Sequence, residues 1–147
     1  MSIAELEARL DKLESVAAIQ RLKALAAHHV DRYEIDAFAD LFVEDGVFVG
    51  AFQQHRGRRA IRENIKLWPM MIHYVMNPVI DVDGDRATGR WCFLRPQTAP
   101  SGNHYLVGGW YEDDYVRIGG AWKFASVTIT NLFCTTYEAG WGNDPVI

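Results

Sequence analysis

The sequence predicts an α+β fold, in which N-terminal helices pack on a strongly curved, mixed or antiparallel β-sheet that encloses a pocket. Apolar residues before position 69 mostly recur at intervals of three and four, the spacing of amphipathic helices. After position 71 the chain forms extended runs separated by glycine-containing turns, which is typical of an antiparallel meander. This order favours helices on one face of a sheet, and the concave side between them is a usual place for a small-molecule site.

Two long helical segments are predicted before residue 35. The first carries an apolar stripe formed by Ile3, Leu6, Leu10 and Leu13. Ser15 suits the N-cap of a second helix that runs to about Tyr33. The stripe of this second helix is formed by Val16, Ile19, Leu22, Ala26 and Val30. We expect these helices to cover one face of the sheet.

Shorter elements are expected between the helices and the sheet. Asp36 can cap a short helix through positions 38–42, which a turn at residues 44–46 closes. Residues 47–50 then form a short strand. Residues 57–68 return to helical spacing, and Pro69 ends that helix.

The second half is expected to form four strands. These strands are residues 72–82, 86–95, 104–118 and 121–133. Their connections are turns at residues 83–85 and 119–120 and a loop at residues 96–103. Gly108 and Gly109 lie inside the third strand and indicate a bulge or a close-packing site.

Length and charge limit the possible classes of function. The 147 residues predict one domain, residues 1–147, which can bury about two-thirds of its unfolded surface. A net charge of -4 offers no basic surface for nucleic acid or an anionic membrane, and no apolar run approaches the roughly 18 residues of a spanning helix. Cys92 and Cys134 are isolated and suit a reducing cytoplasm. No histidine and carboxylate cluster has metal-ligand spacing, so we expect no metal and no cofactor.

His73 is the first candidate for chemistry. It lies in residues 70–76, which contain no other strongly polar group. A lone histidine in such a strand is more often a core residue bonded to a backbone carbonyl. Here, however, strand alternation places His73 on one face with Val75 and Asn77, and Asp31 is a plausible acidic partner.

Asp31 lies in the last turn of the predicted second helix, where an acid opposes the helix dipole at a cost of about 0.3–1 kcal/mol. It could form a surface salt bridge with Arg32, or it could point inward and hold an imidazole. In the second arrangement the carboxylate fixes the tautomer of His73, leaves the other ring nitrogen basic and raises the histidine pKa. His73 would then serve as a general base.

Several short motifs together resemble the SnoaL-like branch of the NTF2-like superfamily. They are Ala17-Ala18-Ile19-Gln20, Leu67-Trp68-Pro69-Met70, Ile72-His73-Tyr74 with Asn77, and Gly108-Gly109 followed by Tyr111, Asp113, Tyr115, Arg117, Gly120, Trp122, Lys123 and Phe124. The resemblance covers about residues 15–141 and is strongest to hexachlorocyclohexane dehydrochlorinases, with scytalone dehydratases and bile acid 7α-dehydratases more distant. It implies an NTF2-like cone, lyase chemistry, a trimer, and an Asp–His dyad formed by Asp31 and His73.

Two positions depart from this family. A lysine or tyrosine that its lyases carry on the second helix falls on Ala26, and an arginine of the last strand falls at or near Val127. Both losses remove groups that would stabilise a departing anion, so loss of water is favoured over loss of halide. Substitute donors are expected among His28, His29, Tyr33, Tyr74, Tyr105, Tyr111 and Asn131.

The sequence therefore predicts a cofactor-independent lyase of the dehydratase type that acts on a small hydrophobic, cyclic or aromatic molecule. His73 would take the proton, and Asp31 would orient the His73 ring and balance the charge that the ring gains. A carbon–carbon lyase that releases a small aldehyde, an isomerase with the same dyad, and a non-catalytic binding module remain alternatives. The substrate is expected to contact Tyr33, Trp68, Met70, Trp91, Phe93, Tyr105, Trp110, Asn131 and Phe133.

Aromatic residues on the last two strands predict a homo-oligomer. Trp110, Tyr111, Tyr115, Trp122 and Phe124 supply more aromatic surface than one concave face can cover, and Tyr111 and Tyr115 face opposite to Trp110. The resemblance favours a trimer over a dimer, formed through the backs of the sheets. In such a trimer the tail, residues 138–147, could cover the mouth of a neighbouring pocket.

Overall fold

The computed structural model describes residues 1–140, with helices first and a sheet afterwards. The helices are α1 (Ile3–Asp31), α2 (Ile35–Ala39) and α3 (Arg58–Asn64). The strands are β1 (Phe42–Val49), β2 (Gln54–Arg56), β3 (Met70–Met71), β4 (Tyr74–Asp83), β5 (Arg86–Thr98), β6 (His104–Ile118) and β7 (Ala121–Thr135). Of the predicted tail, residues 141–147 lie outside the described residues.

The strands of the described part form a single strongly curved sheet. Its order is β2-β1-β7-β6-β5-β3, and β4 also pairs with β5. β1 runs parallel to β7, and the other pairs are antiparallel, so the sheet is mixed. α1 packs against β4 and β7 across the concave side. Its buried residues lie between Ser15 and Val30, whereas Ile3, Leu6, Leu10 and Leu13 are exposed, so the expectation that the first helical segment covers the sheet was wrong. The predicted α+β cone is thereby confirmed.

α1 is one continuous helix of 29 residues, so the division into two helices was wrong. Its N-cap is Ser2, whose hydroxyl accepts a hydrogen bond from the backbone N–H of Glu5, while the Glu5 carboxylate accepts from the backbone N–H of Ser2. Ser15 is instead buried inside the helix. A serine before an apolar stripe marks a helix start only if the preceding residues are not helical, and here they are.

The connection from α1 to the sheet also differs from the prediction. Glu34, and not Asp36, is the N-cap residue of α2, and no side chain caps the helix. β1 begins at Phe42 and runs through residues 44–46, where a turn was predicted. A register shift in its pairing with β7 absorbs the additional residues, so the glycine of this segment lies in an irregular strand and not in a turn.

Three element ends were misplaced. α3 stops at Asn64, because Ile65 already has an extended conformation and packs against the core, well before Pro69. β2 was not predicted. β5 continues to Thr98 and β7 to Thr135, beyond the expected ends at residues 95 and 133. The length of β5 matters for the site, since its additional residues place the Gln97 side chain on the concave face beyond Arg95.

Gly108 and Gly109 form a close-packing site, as predicted. A Cβ atom on Gly109 would lie 2.0 Å from a backbone oxygen of β7, and one on Gly108 would lie 2.5 Å from the ring of Phe133. The register shifts here, because Gly108 pairs with Phe133 while Gly109 pairs with Asn131. The additional residue, Leu132, reverses the alternation of β7. Asn131 consequently faces the concave side and Phe133 the outer side.

The aromatic side chains of β6 and β7 face mostly inward. Tyr111, Tyr115, Trp122 and Phe124 are at most 7% exposed, whereas Trp110 lies on the opposite face and is 41% exposed. The predicted opposition of Trp110 to the two tyrosines is confirmed. The expectation that this set provides a large outer aromatic surface was wrong, because the curved sheet buries four of the five rings against the helices.

Candidate active site

A cavity of about 190 Å³ lies between α1, the concave face of the sheet and residues 50–53 and 65–68. Its wall is mainly apolar. The apolar lining includes Ala26, Val30, Phe38, Phe48, Ile65, Leu67, Trp68, Met71, Val75, Phe124, Val127 and Ile129. The polar groups that reach it include Lys23, His73, Arg95, Gln97, Tyr111 and Asn131. A cavity of this kind suits a small apolar molecule held by a few oriented polar contacts.

Asp31 and His73 are hydrogen-bonded at two points. His73 Nδ1 lies 2.6 Å from Asp31 Oδ1, and the backbone N–H of His73 donates to Asp31 Oδ2 at 3.0 Å. Asp31 is the last residue of α1, and His73 lies between β3 and β4, so the pair joins the helix to the sheet. A carboxylate only accepts, so Nδ1 carries the hydrogen and Nε2 presents a lone pair. The predicted contact is therefore present.

The pKa of His73 is lowered, contrary to the expectation from its carboxylate partner. Burial disfavours the imidazolium most, and the charges of Arg95 and Lys23 add to this effect. The hydrogen bond and charge of Asp31 act in the opposite direction but do not outweigh burial. His73 is consequently neutral at neutral pH, and its Nε2 carries the lone pair that can accept a proton.

Arg95 is a site residue that sequence analysis missed. Its Nη1 lies 3.4 Å from His73 Nε2, on the side of the imidazole away from Asp31. The guanidinium also lies over the ring of Phe93, with 5.6 Å between Cζ and the centroid. Arg95 Nε is buried and has no hydrogen-bond partner in the described part of the chain. The signal was available, because Arg95 continues the inward alternation of Trp91 and Phe93.

A buried polar network that reaches the cavity through Lys23 was also missed. Lys23 Nζ lies 2.7 Å from Asp113 Oδ2, and the Tyr115 hydroxyl donates to the same oxygen at 2.8 Å. Trp91 Nε1 donates to that hydroxyl at 3.0 Å. Lys23 Nζ also lies 3.4 Å from the ring centroid of Tyr111. Lys23 shares the stripe of α1 with the apolar residues around it, at four residues from Ile19.

Of the nine residues predicted to contact the substrate, Trp68 and Asn131 line the cavity. Tyr33 and Tyr105 instead support Trp68 from outside. The Tyr33 hydroxyl donates to the Trp68 backbone carbonyl, and Tyr105 packs edge-on against the indole at 6.0 Å. Met70 is 43% exposed, and its neighbour Met71 takes the inward position. Strand alternation was assigned one residue out of phase at that point.

The other four predicted contacts also lie elsewhere. Trp91 and Phe93 face inward but lie beneath the cavity, in the polar network and under Arg95. Trp110 is on the outer face, and the bulge in β7 turns Phe133 to that face as well. Depth within a curved sheet and single-residue bulges cannot be read from alternation alone.

Asn77 does not share the pocket face with His73, although alternation predicted it. The pairing of β4 with β5 shifts register between Met76 and Val79, and Asn77 has a φ of 55° and is exposed. Ala26 and Val127, by contrast, both line the cavity, so the two positions that lack the family's cation or donor do lie at the site.

Residues 11–128 match the SnoaL-like domain family. The chain belongs to this family. The protein is 26% identical to an uncharacterized protein of Mycobacterium tuberculosis, Rv2910c, over 90% of this chain and 91% of that one. Its fold is similar to a hexachlorocyclohexane dehydrochlorinase, LinA type 2, with a TM-score of 0.81, 26% identity, and coverage of 95% of this chain and 99% of that chain.

A candidate scytalone dehydratase from Novosphingobium aromaticivorans shares the fold, with a TM-score of 0.78, 24% identity, and coverage of 92% of this chain and 95% of that chain. The resemblance to the NTF2-like superfamily is thus confirmed, and the structural relatives include proteins of the dehydratase or lyase type.

No group of three or more histidine, cysteine, aspartate or glutamate side chains in residues 1–140 is arranged to hold a metal ion. Within the same residues, no helix has both the length and the apolar character needed to cross a membrane.

Proposed function

We propose that this protein is a cofactor-independent lyase of the dehydratase type, acting on a small hydrophobic, cyclic or aromatic molecule. The observation that carries the proposal is the Asp31–His73 pair in a mainly apolar cavity, with His73 Nδ1 held 2.6 Å from the Asp31 carboxylate. A binding pocket has no need for an imidazole fixed at two points. A lyase needs such a group, because proton removal requires an oriented base.

In the proposed reaction His73 Nε2 takes a proton from a substrate carbon. The electrons of that C–H bond form a carbon–carbon double bond as the bond to a β-hydroxyl breaks. The departing hydroxide takes the proton back from His73, so water and an alkene leave and the base is regenerated. Asp31 stabilises the transient imidazolium, and the apolar wall strengthens this attraction by lowering the local dielectric.

We also propose that copies of the chain associate, as a trimer, through the outer face of the sheet. Two neighbouring cross-strand rows place apolar groups together on that face. One row joins Met76, Cys92 and Trp110, and the next joins Tyr74 and Leu94. Tyr74, Met76 and Trp110 are 53%, 41% and 41% exposed. A contiguous apolar surface of this kind usually marks an interface.

The free cysteine at position 92 is consistent with the cytoplasmic location that we propose.

The proposal is tested by proton exchange, which does not require the leaving group to be known. Cyclic ketones, cyclic β-hydroxyketones and hexachlorocyclohexane are incubated with the protein in D₂O, and solvent deuterium and products are followed by NMR. We expect deuterium at the acidic carbon and release of water from a β-hydroxyketone. His73→Gln and Asp31→Asn should reduce these rates by roughly 10²–10⁴-fold.

His104→Gln and Asp36→Asn are the matched controls, since both side chains are exposed and lie outside the cavity. Ligand binding without exchange in the wild-type protein would favour a non-catalytic binding module. An aldehyde product would favour carbon–carbon cleavage, and a moved double bond without loss of water would favour an isomerase. Equal rates in His73→Gln and wild type would contradict the proposal.

A further inference from the structure

We propose that Arg95 is a catalytic residue that binds a substrate oxygen, and that the substrate carries a carbonyl group next to the carbon that loses its proton. The inference rests on the proposed function, because it assigns the substrate class to the same base. It makes the reaction an elimination through an enolate, in which Arg95 stabilises the oxyanion.

The position of Arg95 selects the oxygen that it can bind. Its Nη1 lies 3.4 Å from His73 Nε2, the atom that takes the proton. A group so close to the base can reach only substrate atoms within one or two bonds of the reacting carbon. A carbonyl oxygen on the adjacent carbon fulfils this condition, whereas a carboxylate at the far end of the substrate does not. The guanidinium is therefore suited to the charge that develops during proton removal.

The charge balance of Arg95 supports a ligand role. The other cation of the cavity wall that is buried, Lys23, has Asp113 at 2.7 Å as its counter-ion. No carboxylate lies within ion-pair distance of Arg95 in residues 1–140, and its Nε has no hydrogen-bond partner there. A buried guanidinium with an unused donor is costly unless another group satisfies it. An enolate oxygen would satisfy both the charge and the donor.

Acceptors in the same cavity suit a hydroxyl-bearing substrate. Gln97 lies two residues beyond Arg95 on β5, and Asn131 lies on β7. Each has a buried side-chain oxygen without a hydrogen-bond partner among the described residues. Either oxygen can accept from a substrate hydroxyl. Together with Arg95, they match a β-hydroxy carbonyl compound better than a halogenated hydrocarbon, which offers neither a carbonyl oxygen nor a hydroxyl hydrogen.

The resulting reaction has two steps. First, the α C–H bond breaks, the proton moves to His73 Nε2, and its electron pair forms the carbon–carbon double bond of an enolate whose oxygen lies beside Arg95. Next, the enolate collapses, the bond to the β-hydroxyl breaks, and the hydroxide takes the proton from His73. The products are water and an α,β-unsaturated carbonyl compound, and no oxidant or reductant is needed.

The test uses 4-nitrophenol, whose phenolate resembles an enolate and has an absorbance of its own. Its affinity and its ionisation as a function of pH are measured with the wild-type protein, Arg95→Gln, Arg95→Lys and Arg90→Gln. Arg90 is the matched control, because it is an exposed arginine of the same strand on the outer face. Deuterium exchange of cyclohexanone in D₂O is measured with the same proteins and with His73→Gln.

We expect the wild-type protein to bind 4-nitrophenol as the phenolate, with an ionisation pH below that of the free phenol. Arg95→Gln should bind the phenolate about 10- to 100-fold more weakly, since one charged hydrogen bond is lost. Arg95→Lys should recover part of this loss, and Arg90→Gln should behave as wild type. Exchange of cyclohexanone should fall in Arg95→Gln in parallel with phenolate affinity.

The two proposals fail in different ways. If the wild-type protein binds 4-nitrophenol only as the neutral phenol, or if Arg95→Gln leaves phenolate affinity unchanged, the role of Arg95 is overturned even when His73→Gln abolishes exchange. If phenolate binding depends on Arg95 but exchange is the same in His73→Gln as in wild type, the lyase proposal fails and the oxyanion site stands. If both Arg95 variants fail to fold, binding of the probe by the wild-type protein only as the neutral phenol still overturns the role of Arg95.

Discussion

Substitution of Asp113 by alanine removes the counter-ion of a buried lysine. Lys23 Nζ lies 2.7 Å from Asp113 Oδ2, and the two side chains are 4% and 0% exposed. The same oxygen accepts from the Tyr115 hydroxyl at 2.8 Å. Asp113→Ala therefore leaves an ammonium and a hydroxyl without their acceptor at one buried point.

Two routes give the expected magnitude. Removal of one partner of a buried ion pair destabilises proteins by about 3–5 kcal/mol. Alternatively, the variant can fold with Lys23 neutral. Since the pKa of lysine in an unfolded chain is about 10.4, removal of its proton at pH 7 costs roughly 4.6 kcal/mol, at about 1.36 kcal/mol per pH unit. Both routes predict that Asp113→Ala loses about 3–5 kcal/mol of unfolding free energy.

Urea denaturation at pH 7 and pH 9, followed by tryptophan fluorescence, measures this loss. If Lys23 is neutral in the folded variant, its folded pKa lies below the unfolded value, so the penalty decreases as pH rises towards about 10.4. The loss relative to wild type should then be smaller by about 2.7 kcal/mol at pH 9 than at pH 7. Asp114→Ala is the control, because Asp114 is exposed and accepts only from Ser126.

The control variant Asp114→Ala should lose no more than about 1 kcal/mol of unfolding free energy, as is usual for an exposed polar contact. A loss in Asp113→Ala as small as that of the control would refute the account of a buried charge that requires its partner. A large loss with no dependence on pH would refute the neutral-lysine route, and would indicate that the cone opens to hydrate the ammonium.

Three further predictions concern the base, the bulge and the assembly. The base must be neutral to act, and the pKa of His73 is lowered. We therefore expect kcat/KM to be constant at neutral pH and to fall only as the pH drops through a value below 6.5. A fall that begins above pH 7 would contradict this. Gly109→Ala should lose about 1–3 kcal/mol of unfolding free energy in urea denaturation, because its Cβ would lie 2.0 Å from a backbone oxygen. The control Ala125→Ser, on β7, should lose little unfolding free energy. Trp110→Asp should convert the expected trimer to monomers in light scattering, and a wild-type monomer at micromolar concentration would refute the interface.

The fold was predictable because side-chain periodicity follows directly from backbone geometry. The stripe of α1 from Ile19 to Val30 and the alternation in β6 record which face each residue turns to the core, whereas the apolar residues before Ser15 are exposed. β6 and the turn at residues 119–120 begin and end where predicted. The division of α1 at Ser15 failed for a local reason, because the sequence before it is as helical as the sequence after it.

The candidate site was predictable where one residue conflicted with its surroundings. His73 is polar in an apolar stretch, and Asp31 is an acid at the end of a helix that favours a base. Lys23 and Arg95 gave no comparable signal, because lysine in a helix and arginine near a strand end are ordinary surface residues. Only their spacing from inward-facing residues indicated that they face inward. Lys23 follows Ile19 by four residues in the helix, and Arg95 follows Phe93 by two residues in the strand.

The location of the cations suggests why Ala26 and Val127 are compatible with catalysis. Ala26 is on α1 and Val127 on β7, and both line the cavity without a charge. In the proposed mechanism the charged donor is Arg95 on β5, which lies 3.4 Å from His73 Nε2. A cation at the base stabilises charge on the atom next to the carbon that loses its proton, whereas a cation at the leaving group stabilises the departing anion. If Arg95 acts as proposed, this position of the donor favours substrates that form an enolate over those that depend on release of a halide.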